Sequence, residues 1–262
     1  MPWTHSTHNR RYWDSVAQRN WEEKAGLRRK IKDGFPYLEE SEPKIAPYLK
    51  DIKGKRIIVL QFGDGLVMLS CAKKGALVTG VDFSREQIRL AGISAQECGV
   101  NLDLIEADCQ CLSSTIPDSH FDIAVAEDGV FSWIEDLDSW MHGVHRVLKA
   151  KGRLVVSDHH PLTSCLQVEK ARPRFTASYL YQMPRILKAS DGTPSSVVVL
   201  WKLSDIVNAA LKAGFVIEHM DEFVAPGVEA PIPGYFLLVA KKTWPHPTSR
   251  GSAHRFGSAS SV

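Results

Sequence analysis

A carboxylate nineteen residues beyond a glycine-rich turn is the arrangement in this chain best suited to chemistry. The apolar run Ile57-Ile58-Val59-Leu60 opens into Gln61-Phe62-Gly63-Asp64-Gly65, and a second run, Val78-Thr79-Gly80-Val81, ends on Asp82. Bare peptide at the carboxyl end of a buried strand lets a ligand approach the backbone, and an acid about 20 residues on can accept hydrogen bonds from two ribose hydroxyls. The pair describes a site for a nucleoside cofactor.

The neighbouring residues refine that reading. Gly63 and Gly65 leave amides free to face a ligand, and Asp64 either caps the following helix or holds a cationic amino group. Ser84 is better placed than Asp82 to cap the next helix, which leaves Asp82 for ribose, while Phe83 either lies against a purine ring or closes the top of the core. In Glu106-Ala107-Asp108-Cys109, Asp108 is placed to accept the exocyclic amine of adenine and Cys109 to offer its amide to a ring nitrogen. Glu127 ends a further apolar run, beside whatever the cofactor delivers. Leu66-Val67-Met68 stands where a dinucleotide loop needs a third glycine, and no Lys-Ser or Lys-Thr closes a phosphate cradle. The site suits a nucleoside without a pyrophosphate.

These residues have to be positioned by alternating strands and helices. Strands are expected at 55–61, 76–82, 102–107, 121–126, 152–157, 215–223 and 235–241, with helices at 65–74, 84–99, 136–149 and 204–213 between them. Strands too apolar to face water imply a parallel sheet covered by helices on both faces, the fold class being a doubly wound α/β domain. Helical spacing from Thr7 to about Lys32 predicts a preceding helix, and 43–49 a short second one. That helix either packs on the domain or forms a lid carrying Tyr12, Trp13 and Trp21. The stretch 159–200 breaks the rhythm with four prolines among Phe175, Tyr179, Tyr181 and Met183, and is expected to form a substrate-facing insert. The organisation reads as an N-terminal helical extension over 1–50, one domain over 51–242, and a disordered tail over 243–262.

Composition narrows the partners. With 262 residues, 44% apolar content and net charge +2, the chain can bury a large core and carries no basic stripe for nucleic acid. Arg28-Arg29-Lys30 is read as a solvated helix face. Five cysteines, with Cys109 and Cys111 the one close pair, make neither a disulfide framework nor a zinc site, so no metal is expected. No apolar stretch reaches the ~18 residues of a membrane span, and the first eleven residues lack an apolar signal core. A cytoplasmic protein with a small-molecule partner is expected, and self-association is left open.

In order and spacing, Gly63-Asp64-Gly65, Gly80-Val81-Asp82-Phe83-Ser84, Glu106-Ala107-Asp108, Phe121-Asp122-Ile123-Ala124-Val125 and Leu148-Lys149-Ala150-Lys151-Gly152 resemble the successive motifs of class I S-adenosylmethionine-dependent methyltransferases. The 129–137 stretch and Asp158-His159-His160-Pro161 are similar to a bacterial subgroup acting on small molecules. The resemblance implies a Rossmann-like sheet of seven strands in the order 3-2-1-4-5-7-6, strand 7 antiparallel. It implies that Gly63 and Gly65 face the methionine part of S-adenosylmethionine, Asp82 its ribose, Asp108 and Cys109 its adenine, with Glu127 bordering the methionine. Many relatives carry an acid where this chain has Gln61, so Gln61 or Asp64 would meet the ammonium group.

Methyl transfer needs alignment and dryness more than side-chain chemistry. His159 and His160, just past the fifth strand, are the candidate bases, with the satisfaction of turn backbone as the plainer reading. His142 and His145 are read as surface or packing residues. Acceptor contacts are expected from Phe131, Trp133, His159, Tyr179, Tyr181 and Met183, with Tyr12 or Trp13, a set that favours a planar or apolar molecule such as a natural product. A nicotinamide-dependent oxidoreductase and a catalytically silent binding protein are the alternatives.

Overall fold

The computed structural model describes residues 5–169, 172–180, 185–187, 195–224 and 232–243. Seven strands make one sheet: β1 (Arg56–Leu60), β2 (Leu77–Asp82), β3 (Leu102–Glu106), β4 (Phe121–Glu127), β5 (Leu148–His159), and, after four short strands β6 to β9, β10 (Phe215–Phe223) and β11 (Tyr235–Lys242). Their order is β3-β2-β1-β4-β5-β11-β10, with β11 antiparallel to both neighbours and β1 to β5 parallel. The expected order and the single reversed strand are therefore observed.

Period-two alternation explains why helices cover both faces. Ile58, Leu60, Ala124, Ala126, Leu154, Val156, Phe236 and Leu238 share one core with α6 (Leu137–Val147) and α7 (Leu203–Lys212). Ile57, Val59, Ile123, Val125, Val155, Leu237 and Val239 share the other with α2 (Ala25–Lys32), α3 (Tyr37–Ser41) and α4 (Leu66–Lys73). Gly80 is where this second layer approaches most closely: a Cβ there would stand 2.3 Å from Met68 Sδ and 3.0 Å from Phe62 Cδ1.

Three local expectations are corrected. The helix expected over 7–32 is two, α1 (Ser6–Glu23) and α2, breaking at Lys24 just ahead of Gly26. Arg28 is buried, not solvated: its guanidinium lies 3.9 Å from the Trp21 ring centroid and pairs with Glu97 at 3.8 Å. The fifth strand begins earlier than Gly152, at Leu148, because Phe121 of β4 pairs with it across a bulge.

The insert contains two antiparallel hairpins, β6 (Leu166–Glu169) with β7 (Arg172–Phe175) and β8 (Arg185–Leu187) with β9 (Ser196–Val198). Asn9 joins α1 to the second: its amide donates to Val197 O and accepts from Val197 N, each at 2.8 Å, in a buried setting. Of the two roles open to Trp21, packing on the domain or covering a ligand, the first is observed: it donates to Ser94 Oγ on α5 (Arg85–Cys98) at 2.8 Å. Tyr181, Met183 and the tail from 244 onward lie outside the described residues.

Candidate active site

The carboxyl ends of β1, β2 and β4 and the C-terminal part of α1 enclose a cleft of about 330 Å³. It is lined by Gln61, Gly63, Asp64, Asp82, Phe83 and Glu127 from the expected cofactor set, and by Trp13 and Trp133 from the expected acceptor set. Gly63 adopts φ +51 with no atom within 4 Å of the position a Cβ would take, so the space beside its α-carbon is open, whereas its amide, expected to be free for a ligand, donates to the Asp82 carboxylate. Gly65, at φ +74, does not line the cleft. A Cβ there would meet Met68 Cε at 3.2 Å, which makes it a hinge between β1 and α4.

Asp82 is the buried acid of the site. Its carboxylate accepts the amide of Ser84 at 2.8 Å and also those of Gly63 and Phe83, while Ser84 takes the helix-capping task by accepting Gln87 N. Burial pushes its carboxyl up to about 7, against the pull of those three amides. Asp64 caps α4 by accepting Leu66 N at 3.0 Å, and Lys24 Nζ stands 3.9 Å from its other oxygen.

Gln61 is committed elsewhere. It sits at φ +52, accepts Trp140 Nε1 at 3.2 Å and donates to Val130 O at 3.4 Å. Acidic side chains reach the cleft from other directions. Glu42, just beyond α3, reaches the cleft with Tyr37, whose hydroxyl lies 3.4 Å from Glu42 Oε1. Burial, reinforced by Asp128 and Asp64, raises the Glu42 carboxyl to about 7, and burial with Glu42, Asp64 and Asp128 nearby holds Glu127 well above the usual range. Glu23, Lys24, Tyr37 and Glu42 escape sequence reasoning because they belong to no motif and reach the cleft only through the packing of α1 to α3.

Other expected contacts are placed differently. Asp108 does not line the cleft: Oδ1 accepts Gln110 N at 3.0 Å and Oδ2 accepts Ser6 Oγ at 2.5 Å. Cys109 is buried, its thiol 3.5 Å from Val81 O. Phe131 spends its ring in the core against Trp140 and Phe236, at 5.3 and 6.2 Å. Tyr179 also lies away from the cleft, its hydroxyl accepting Leu203 N at 2.9 Å to cap α7. Tyr12, Trp13 and Trp133 do form one aromatic corner, with centroids 5.3 to 6.0 Å apart.

The two histidines diverge. His160 is buried and accepts Leu162 N on Nδ1 at 3.1 Å, so it closes a turn, with Nε2 set 2.7 Å from Glu222. His159 is half-exposed and its Nε2 lies 3.0 Å from Asp128 Oδ1, a partnership that raises the imidazole and lowers the carboxyl. His142 is exposed, whereas His145 packs on Phe215 at 5.1 Å.

Residues 59–156, which run from β1 into β5, match the family model described as a methyltransferase domain. The fold is shared with an S-adenosylmethionine-dependent methyltransferase from Mesorhizobium loti, which superposes with a TM-score of 0.64, at 24% identity, over 80% of this chain and 99% of that one. Among curated proteins, an uncharacterized protein of Haemophilus influenzae is 29% identical over 128 residues, 47% of this chain and 50% of that one. A ubiquinone biosynthesis O-methyltransferase of Ralstonia nicotianae is 29% identical over 129 residues, 48% and 53% respectively. The matches span about half the length of these curated relatives.

Proposed function

We propose that this chain transfers a methyl group from S-adenosylmethionine to a small planar or apolar acceptor, a metabolite or natural product. The observation that carries the reading is the buried Asp82 carboxylate, held by the Gly63 amide, beside the space left by the missing Gly63 side chain at the carboxyl rim of the sheet. The cleft fits the cofactor's charge. Burial raises Asp82, and burial with repulsion between neighbouring carboxylates raises Glu42, Asp64 and Glu127, as carboxylates short of cations do, and S-adenosylmethionine carries a sulfonium and an ammonium.

Asp82 would hold the ribose, Asp64, Glu42 and Glu127 the cationic end, and Lys24 the methionine carboxylate. The bound cofactor supplies a methyl carbon made electrophilic by its sulfonium. The chain's own part is to orient and to exclude water. Tyr12, Trp13 and Trp133 offer flat faces to an acceptor, and α1, tied across the rim through Ser6, Asn9 and Asp14, serves as the lid.

A dinucleotide fits poorly, because the α4 N-terminus that would receive a pyrophosphate is already capped by the Asp64 carboxylate, which repels an anion. One observation favours a silent binding protein, namely the commitment of Gln61 to Trp140 and Val130. Isothermal titration with S-adenosylhomocysteine and NADH separates the first two readings: heat of binding with the former alone supports methyl transfer, and with NADH alone overturns it. Transfer of label from a methyl-labelled donor into a natural-product extract separates enzyme from silent binder.

A further inference from the structure

Asp158 ties the end of β5 to the turn that follows β4. Its buried carboxylate accepts the amides of Gly129, of Phe131 at 2.9 Å and of His159 at 2.7 Å, so the placement of His159 relative to Asp128 is fixed by one residue. Asp128 holds a left-handed φ of +59, a conformation that persists at a non-glycine residue when neighbours over-determine it. Those neighbours are His159 Nε2 at 3.0 Å and the Tyr235 hydroxyl at 3.4 Å, both on Asp128 Oδ1, and the His159 and Tyr235 rings lie 4.6 Å apart. The assembly borders the cleft. Asp128 and Trp133 line it, and a Cβ on Gly129 would stand 3.7 Å from His159 Cδ2 and 3.8 Å from Trp133 Nε1, so imidazole and indole share one patch of bare backbone.

Resting on the methyl-transfer reading, we propose that the acceptor is a hydroxyl or amine that loses a proton as it is methylated, and that the Asp128–His159 pair, oriented by Asp158 and Tyr235, takes that proton. The acceptor's lone pair forms the bond to the methyl carbon, and the pair of the broken carbon–sulfur bond stays on sulfur. The acceptor's proton passes to the pair, which changes from carboxylate and neutral imidazole to carboxylate and imidazolium. His159 is half-exposed and returns the proton to water. A carbon acceptor attacks with its π electrons before any proton leaves and surrenders one only from the cation so formed, so its attack draws nothing from a base at this edge.

The groups facing the imidazole are Asp128, Asp158 and Tyr235; Lys24 and Glu42 act on it through Asp128. His160 is turned toward Glu222 and stands outside the assembly. With neutral imidazole as the working form, kcat rises with pH through the imidazole titration and then levels.

Three probes test the proposal: catechol for a hydroxyl, phenethylamine for an amine, and 1-methylindole for a carbon nucleophile without an N–H. Methylation of catechol or phenethylamine is expected, with His159→Gln lowering kcat by about 100-fold or more and erasing the acid limb of its pH profile. Its affinity for S-adenosylhomocysteine should stay within about threefold of the parent's. Independently of any acceptor, the NMR titration of the His159 imidazole should move to lower pH in Asp128→Asn. Methylation of 1-methylindole alone, an unchanged pH profile in His159→Gln, or an unmoved titration in Asp128→Asn overturns the proposal. Failure of the parent protein to bind S-adenosylhomocysteine defeats the underlying function instead.

Discussion

Ser6 Oγ lies 2.5 Å from Asp108 Oδ2, so the first turn of α1 is fastened to the residue just beyond β3 that the sequence assigns to adenine. Gln110 supports the contact by donating to Ser6 Oγ at 3.1 Å. The serine hydroxyl and an adenine amine would ask the same oxygen for a hydrogen bond. Ser6→Ala is therefore expected to tighten S-adenosylhomocysteine binding by about fivefold, roughly 1 kcal/mol. Isothermal titration measures it, and weaker binding would mean that Ser6 covers the adenine instead of competing with it.

Asn9 satisfies two backbone groups of Val197 from within a buried interface. Asn9→Ala leaves both without their partner and is expected to cost about 1–3 kcal/mol in urea unfolding. A change within 0.5 kcal/mol would show that α1 and the insert are not coupled.

The Asp82 carboxyl, pushed by burial to about 7, sets a pH dependence whose sign is fixed. Its folded value lies above the ordinary ~3.9, so the stability it contributes is complete below about pH 4 and is lost as pH rises toward 7. Ribose hydroxyls donate to the ionised form, so ligand affinity runs the other way, rising through pH 7. Titrations of S-adenosylhomocysteine between pH 5.5 and 8 should show that rise in the parent and a flatter profile in Asp82→Asn.

Gly80 has no room for a side chain beneath the cofactor turn. Gly80→Ala is expected to destabilise by roughly 1–3 kcal/mol through overpacking and, by moving Phe62, to weaken S-adenosylhomocysteine binding. Adding Met68→Ala opens the space next to the new methyl and should recover part of the binding, as thermal melts and titration of the double variant would register.

The strands were legible because β1, β2, β4 and β5 carry apolar runs with turns at their carboxyl ends and the 215–241 region showed two strands close enough to pair, while their order came from the family resemblance. The core of the cleft was legible for the same reason: Gly63, Asp64, Asp82, Phe83 and Glu127 sit where strands end, and strand ends share one rim. Three-dimensional packing decided the rest. Glu42 and Lys24 come from segments with no motif, and Phe131 and Trp133 are two residues apart in one short turn yet face the core and the cleft respectively. His159 and His160 are adjacent in sequence and were indistinguishable as bases. Extended backbone sends successive side chains to opposite sides, which delivers one to Asp128 and the other to Glu222.

The account stands on Asp82 gripping a nucleoside. Isothermal titration of S-adenosylhomocysteine into Asp82→Ala at pH 8, with circular dichroism confirming an intact fold, should give an affinity about 10- to 100-fold weaker than the parent's, as expected for loss of hydrogen bonds to a charged acceptor. An affinity equal to the parent's would contradict it.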